Sequence, residues 1–123
     1  MTKFELQKYL ESYQYDLQFV QEKIKEEERI NKMMQTDADL QFIAYNKQHG
    51  QEQIKKILDK KCYIENMIQD LKQPYVNVLY LKYICFYTFD QVAGKMNYST
   101  KRIYQLHNEA LNKVLENLQK QNV

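Results

Sequence analysis

The sequence predicts an all-α fold, and three observations carry that prediction. Only 2 Gly and 1 Pro interrupt 123 residues, so regular structure has few forced stops. Leu, Ile, Lys, Gln and Glu, which lose little rotamer freedom in a helix, dominate long stretches. Apolar residues recur at steps of three and four, the spacing of one helix face. The expected architecture is a pair of long N-terminal amphipathic helices over residues 1–72, closed as a hairpin or a coiled coil, followed by a small bundle of short helices over residues 73–123.

The first helix is expected over Lys3 to Met33, where Leu6, Leu10, Tyr13, Leu17, Val20 and Ile24 form a heptad-like stripe. The charged run Lys23, Lys25, Glu26, Glu27, Glu28, Arg29 and Lys32 reads as its solvated outer face, with opposite charges three to four apart. Thr36-Asp37-Ala38-Asp39 offers a cap for a new helix, a short one through Phe42, Ile43 and Tyr45. His49-Gly50 is the main local break in this half, a hinge or a tolerated glycine. Gln51 to Lys72 carries a second stripe of Ile54, Ile57/Leu58, Ile64, Ile68 and Leu71, interrupted by Lys61.

Pro74 is expected in the first turn of a helix running to Ile84, because its missing N–H would have had no partner there. Thr88-Phe89-Asp90-Gln91 has the capping-box spacing, with a short helix to about Lys95 that buries Phe89, Val92, Ala93 and Met96. Asn97 tolerates the left-handed backbone of a tight turn. Ser99 can then cap a last helix from Thr100 to about Leu118, whose inner face is Ile103, Leu106, Ala110, Leu111, Val114, Leu115 and Leu118.

Charge is divided along the chain. Residues 1–71 carry 11 Lys and Arg against 13 Asp and Glu, a net of −2, whereas residues 72–123 carry 7 against 3, a net of +4. A polyanion is therefore expected to meet the C-terminal end. Cys62 and Cys85 lack ligand spacing and are expected as buried free thiols. His49 and His107 stand in no acid or cysteine constellation and are expected as surface or turn histidines. Most of the 11 Tyr are expected to pack with a wet hydroxyl. No phosphate-binding loop, paired acids or Ser/His/Asp arrangement is found, so no enzyme activity, metal or cofactor is expected. With no long apolar run and no signal-peptide pattern at Met1 to Leu10, the chain is expected in the cytoplasm, away from membranes.

Two short helices joined by a three-residue turn, with the small Ala93 at their crossing, satisfy the geometry of a helix-turn-helix. The second helix of that motif presents its first turns to base edges. Here those turns offer Ser99, Thr100, Lys101, Arg102, Tyr104 and Gln105, with Lys95 and Lys113 as sites for backbone phosphates.

Pro74 to Tyr83, Tyr87 to Ser99 and Thr100 to Val114, with the Ser/Thr cap, Ile103, Gln105 and the Ala110-Leu111 pair at their spacing, resemble region 4 of bacterial RNA polymerase sigma factors. The resemblance implies similarity to small phage or prophage transcription regulators, with double-stranded DNA and RNA polymerase as partners. Asn97 stands where the family often has Gly, Tyr98 where it often has an aliphatic residue, and Lys101 and Tyr104 differ from common occupants. The base sequence read therefore does not transfer. No segment resembles the promoter-melting region, so a complete sigma factor is not expected. The N-terminal stripes are expected to serve as scaffold or to pair two chains as a homodimer. The competing function is a helical protein-interaction module, or a polymerase-binding adaptor, that does not read DNA.

Overall fold

A computed structural model describes residues 1–33 and 37–121, with side chains outside 30–31 and 33–49. The described residues are all-helical, without a strand. Helix α1 spans Lys3–Met33, α2 Asp37–Ile68, α3 Tyr75–Leu79, α4 Phe89–Met96 and α5 Thr100–Gln121; a π-helical segment, Tyr80–Ile84, continues α3. The expected cap at Thr36 and the side chains of Phe42, Ile43, Tyr45 and His49 lie outside the described residues.

The two long helices run antiparallel. Tyr9 meets Tyr63 edge to face with ring centroids 6.0 Å apart. Further along, Lys60 reaches the Ser12 hydroxyl at 2.5 Å and the Asp16 carboxylate at 2.8 Å. Further still, Gly50 faces the carboxylate of Glu27. As one residue number rises the other falls, which closes a hairpin within the chain. The stripe Leu6, Leu10, Tyr13 and Val20 is buried against Ile57, Ile64, Ile68 and Leu71. Each fully buried aliphatic side chain contributes roughly 1.5–3 kcal/mol relative to exposure.

The structure decides between the two readings of Gly50 and changes two positions of the α2 stripe. Helix α2 runs unbroken through Gly50, so the hinge does not form. Leu58 is 54% exposed, because it stands one helical step, about 100°, beyond the Ile57 line and turns away from α1. Ile54 sits at the hairpin edge and is also exposed.

The hydrophobic core does not part at residue 72. Leu6, Leu10 and Tyr13 belong to the same cluster as Leu79, Tyr83, Ala110, Leu111 and Val114. A second cluster gathers Val78, Val92, Ala93, Ile103 and Leu106. Helix α5 serves both, its first turns packing on α4 and its middle on the hairpin, so the hairpin fixes the helix that carries the candidate site.

The segment after Pro74 departs from a uniform helix. Pro74 occupies the N-cap position of α3, so the helix begins one residue later than expected, and the Pro74 carbonyl accepts the Val78 N–H at 3.1 Å. The π-helical turn is then closed by the Cys85 N–H donating to the Tyr80 carbonyl at 3.1 Å. A π turn holds more residues than an α turn and shifts the register of the residues beyond it. Cys85 is thereby rotated to the surface, and Cys62, off the Ile64 line of α2, is exposed as well; neither thiol is buried as expected. Phe86 adopts a left-handed backbone, φ 64°, uncommon for a bulky side chain. Its ring packs tilted on Tyr13, centroids 5.6 Å apart, and so joins the connecting loop to the hairpin.

Candidate nucleic-acid interface

The turn between α4 and α5 is built by local hydrogen bonds. The Thr88 hydroxyl accepts the Gln91 N–H at 3.2 Å, and the Gln91 side-chain carbonyl accepts the Thr88 N–H at 2.9 Å, a complete capping box. At the other end Asn97 is left-handed, φ 59° and ψ 38°, and its N–H donates to the Ala93 carbonyl. The Ser99 hydroxyl then accepts the Arg102 N–H at 3.1 Å and starts α5. The Thr100 hydroxyl donates to Asp90 at 3.0 Å, which ties the first turn of α5 to the first turn of α4. The angle between the two helices is therefore fixed by side chains as well as by Ala93 packing on the second core.

On α5, the inner face is Ile103, Leu106, His107, Ala110, Leu111 and Val114. Helical periodicity of about 3.6 residues per turn places Lys101, Gln105 and Asn108 on the opposite, exposed face, with Arg102 and Tyr104 on its two flanks. Lys101 has no acidic partner among the described residues. Arg102 is held along its own helix, donating to the Gln105 side chain at 3.3 Å and lying 3.9 Å from Glu109. Glu109 also accepts the Tyr75 hydroxyl at 2.9 Å, and that hydrogen bond, with burial added, raises the phenol above its usual range. Tyr104 stacks on Phe89 with centroids 4.5 Å apart and keeps half its surface in solvent.

The eight residues predicted from the sequence do not all gather. Ser99, Thr100, Lys101, Arg102, Tyr104 and Gln105 form one cluster on the first two turns of α5. Lys95 lies behind it in the last turn of α4, its ammonium 4.6 Å from the centroid of Tyr87. Lys113 is thirteen residues beyond Thr100, roughly 20 Å along the axis, with its ammonium over Tyr75. The Thr100 hydroxyl gives its proton to Asp90, which leaves its oxygen as an acceptor.

Asn108 is an addition to the predicted set. It follows Lys101 by seven, Tyr104 by four and Gln105 by three, the positions that share a helix face. His107 is a correction. It is 3% exposed, not a surface residue, because it lies four after Ile103 and three before Ala110 on the inner stripe. Its Nε2 is 2.5 Å from the Tyr83 hydroxyl. Burial first, then Lys82 and Lys3, lowers its pKa to about 4, while burial raises that of Tyr83. Phe89 stands between this pair and the surface, its ring 5.0 Å from His107 and 4.5 Å from Tyr104. Among the described residues no group of His, Cys, Asp or Glu is arranged to hold a metal ion, and no helix is long and apolar enough to cross a membrane.

Residues 19–116 match a family of proteins of unknown function, DUF1492, and the chain belongs to that family. Curated proteins yielded no match. Solved structures yielded none either.

Proposed function

We propose that α4, its turn and α5 act as a helix-turn-helix similar to region 4 of sigma factors, and that the chain is a sequence-specific DNA-binding transcription regulator of the phage or prophage type. One observation carries the reading. A helix capped by Ser99 leaves a left-handed Asn97 turn at a braced angle and offers Lys101, Gln105 and Asn108 on its open face. In the major groove, Lys101 donates to guanine O6 and N7, Gln105 pairs two-pronged with adenine, and Tyr104 lends an apolar edge to a thymine methyl. Arg102 exchanges its half-exposed contacts with Gln105 and Glu109 for a phosphate, a small cost because surface pairs are weak. The Ser99 hydroxyl keeps its proton for a phosphate oxygen.

The hairpin is the scaffold that holds α5, and RNA polymerase is the protein partner that the resemblance implies. A homodimer through the α1 and α2 stripes would have to open the hairpin, since Leu6, Leu10 and Ile64 are already at most 1% exposed. A second copy would therefore have to pair through another face.

The test is replacement of Lys101 and Arg102 together by Glu. DNA binding should be lost while far-ultraviolet circular dichroism is retained; unchanged affinity would refute the reading. The adaptor reading is favoured by a different feature. Phe4, Tyr15 and Phe19 are 56–69% exposed and lie along one side of α1, with Phe19 at the groove where α1 meets α2. An adaptor would bind core polymerase and leave duplex DNA alone.

A further inference from the structure

Between the start of α3 and the α4–α5 turn lies a cleft of about 600 Å³, larger than the groove of about 340 Å³ beside Phe19. Its polar wall is made by Gln73, Asn77, Tyr80, Lys95 and Tyr98. Two amides, two phenols and one ammonium can each donate a hydrogen bond, and no carboxylate lines the cleft. Leu81 and Met96 form its floor and pack on the second core, so the floor is fixed by the fold. Tyr80 and Tyr98 leave 45% and 43% of their surface uncovered. Lys95 has no acidic partner among the described residues, and its contact with Tyr87 holds the ammonium at the wall with N–H donors to spare. Tyr98 adjoins Ser99, so the cleft opens beside the first turn of α5.

A concave, donor-rich and acid-free wall selects an anion, and its five donors, supplied from Gln73 to Tyr98 beside the first turn of α5, can serve more than one phosphate of a strand. We propose that this cleft seats the sugar-phosphate backbone of the DNA strand bordering the groove that α5 enters, an inference that rests on α5 being a recognition helix. Lys95 and the amides donate to phosphate oxygens, and the two phenol rings pack on deoxyribose. The contacts position the duplex and carry no base information. They add Gln73, Asn77, Tyr80 and Tyr98 to the interface, residues that lie outside the recognition helix.

The experiment is a fluorescence titration of a selected duplex at several salt concentrations with the unaltered chain, Lys95→Gln and, as a control, Lys120→Gln at the exposed far end of α5. Each phosphate neutralised by a cation contributes about one unit to the slope of log K against log salt. Lys95→Gln should flatten that slope by about one unit and weaken all sequences alike, with the selected motif unchanged. Lys120→Gln should behave as the unaltered chain. Lys95 is exposed, and circular dichroism checks that the variant is folded. A Lys95→Gln slope equal to that of the unaltered chain overturns the cleft proposal alone. If the unaltered chain binds no duplex, the recognition-helix reading falls and the cleft proposal falls with it.

Discussion

The hydroxyl of Tyr83 lies 2.5 Å from Nε2 of His107, inside the core, and links the π-helical segment to α5. Neutral imidazole is the form that fits: burial first, then Lys82 and Lys3, disfavours a positive ring, and the phenol and Nε2 share a hydrogen bond whose direction follows the imidazole tautomer. The pair joins the loop-bearing half of the C-terminal bundle to the helix that carries the candidate site.

This pair makes stability depend on pH. The folded pKa of His107, about 4, lies below its ordinary value of 6.5. Below pH 6.5 the unfolded chain binds a proton that the folded chain refuses, so stability is full above 6.5 and falls as pH drops toward 4. The loss across that window is roughly 3 kcal/mol. Urea midpoints between pH 7 and pH 4 should show it, and His107→Gln, whose amide can donate to or accept from the Tyr83 hydroxyl, should remove this component. An identical pH profile in the variant would contradict the assignment.

Gly50 stands within an unbroken α2, and a Cβ built there has the Glu27 carboxylate oxygens as its nearest neighbours, at 3.9 and 4.0 Å. Gly50→Ala should therefore stabilise the chain by roughly 0.5–1 kcal/mol through the smaller entropy cost of ordering alanine. A lower urea midpoint would mean that the glycine is needed for a bend.

The hairpin makes a sharp distinction between two leucines that the sequence pattern treats alike. Leu10 is 1% exposed and Leu58 is 54% exposed. Leu10→Ala should cost about 2–5 kcal/mol, whereas Leu58→Ala should cost within about 0.5 kcal/mol of nothing. Equal losses measured by denaturant unfolding would show that α1 and α2 pack in a different register.

The features legible in the sequence are local ones. The capping box of Thr88 and Gln91, the left-handed Asn97 and the Ser99 cap depend on hydrogen bonds within a few residues, and their chemistry is written in adjacent positions. Non-local facts are harder to read. His107 carries the right spacing for the inner stripe, yet its burial requires Tyr83, 24 residues away, to satisfy its nitrogen. The π-helical turn has no periodic signature, so the exposure of Cys85 beyond it is not visible in the sequence. Lys95 and Lys113 have the right charge for phosphates, but nothing in their neighbours in sequence tells that one lines a cleft beside the turn and the other lies far down α5. Asn108, by contrast, is readable from its spacing to Lys101 and Gln105.

The central claim is that the first turns of α5 read duplex DNA, and a selection of random double-stranded oligonucleotides on the purified chain tests it most directly. The account predicts enrichment of a defined motif bound with an affinity that falls steeply with salt, and a shifted motif when Gln105 and Asn108 are replaced by Ala. Recovery of unenriched sequence, or a motif indifferent to both replacements, would contradict it.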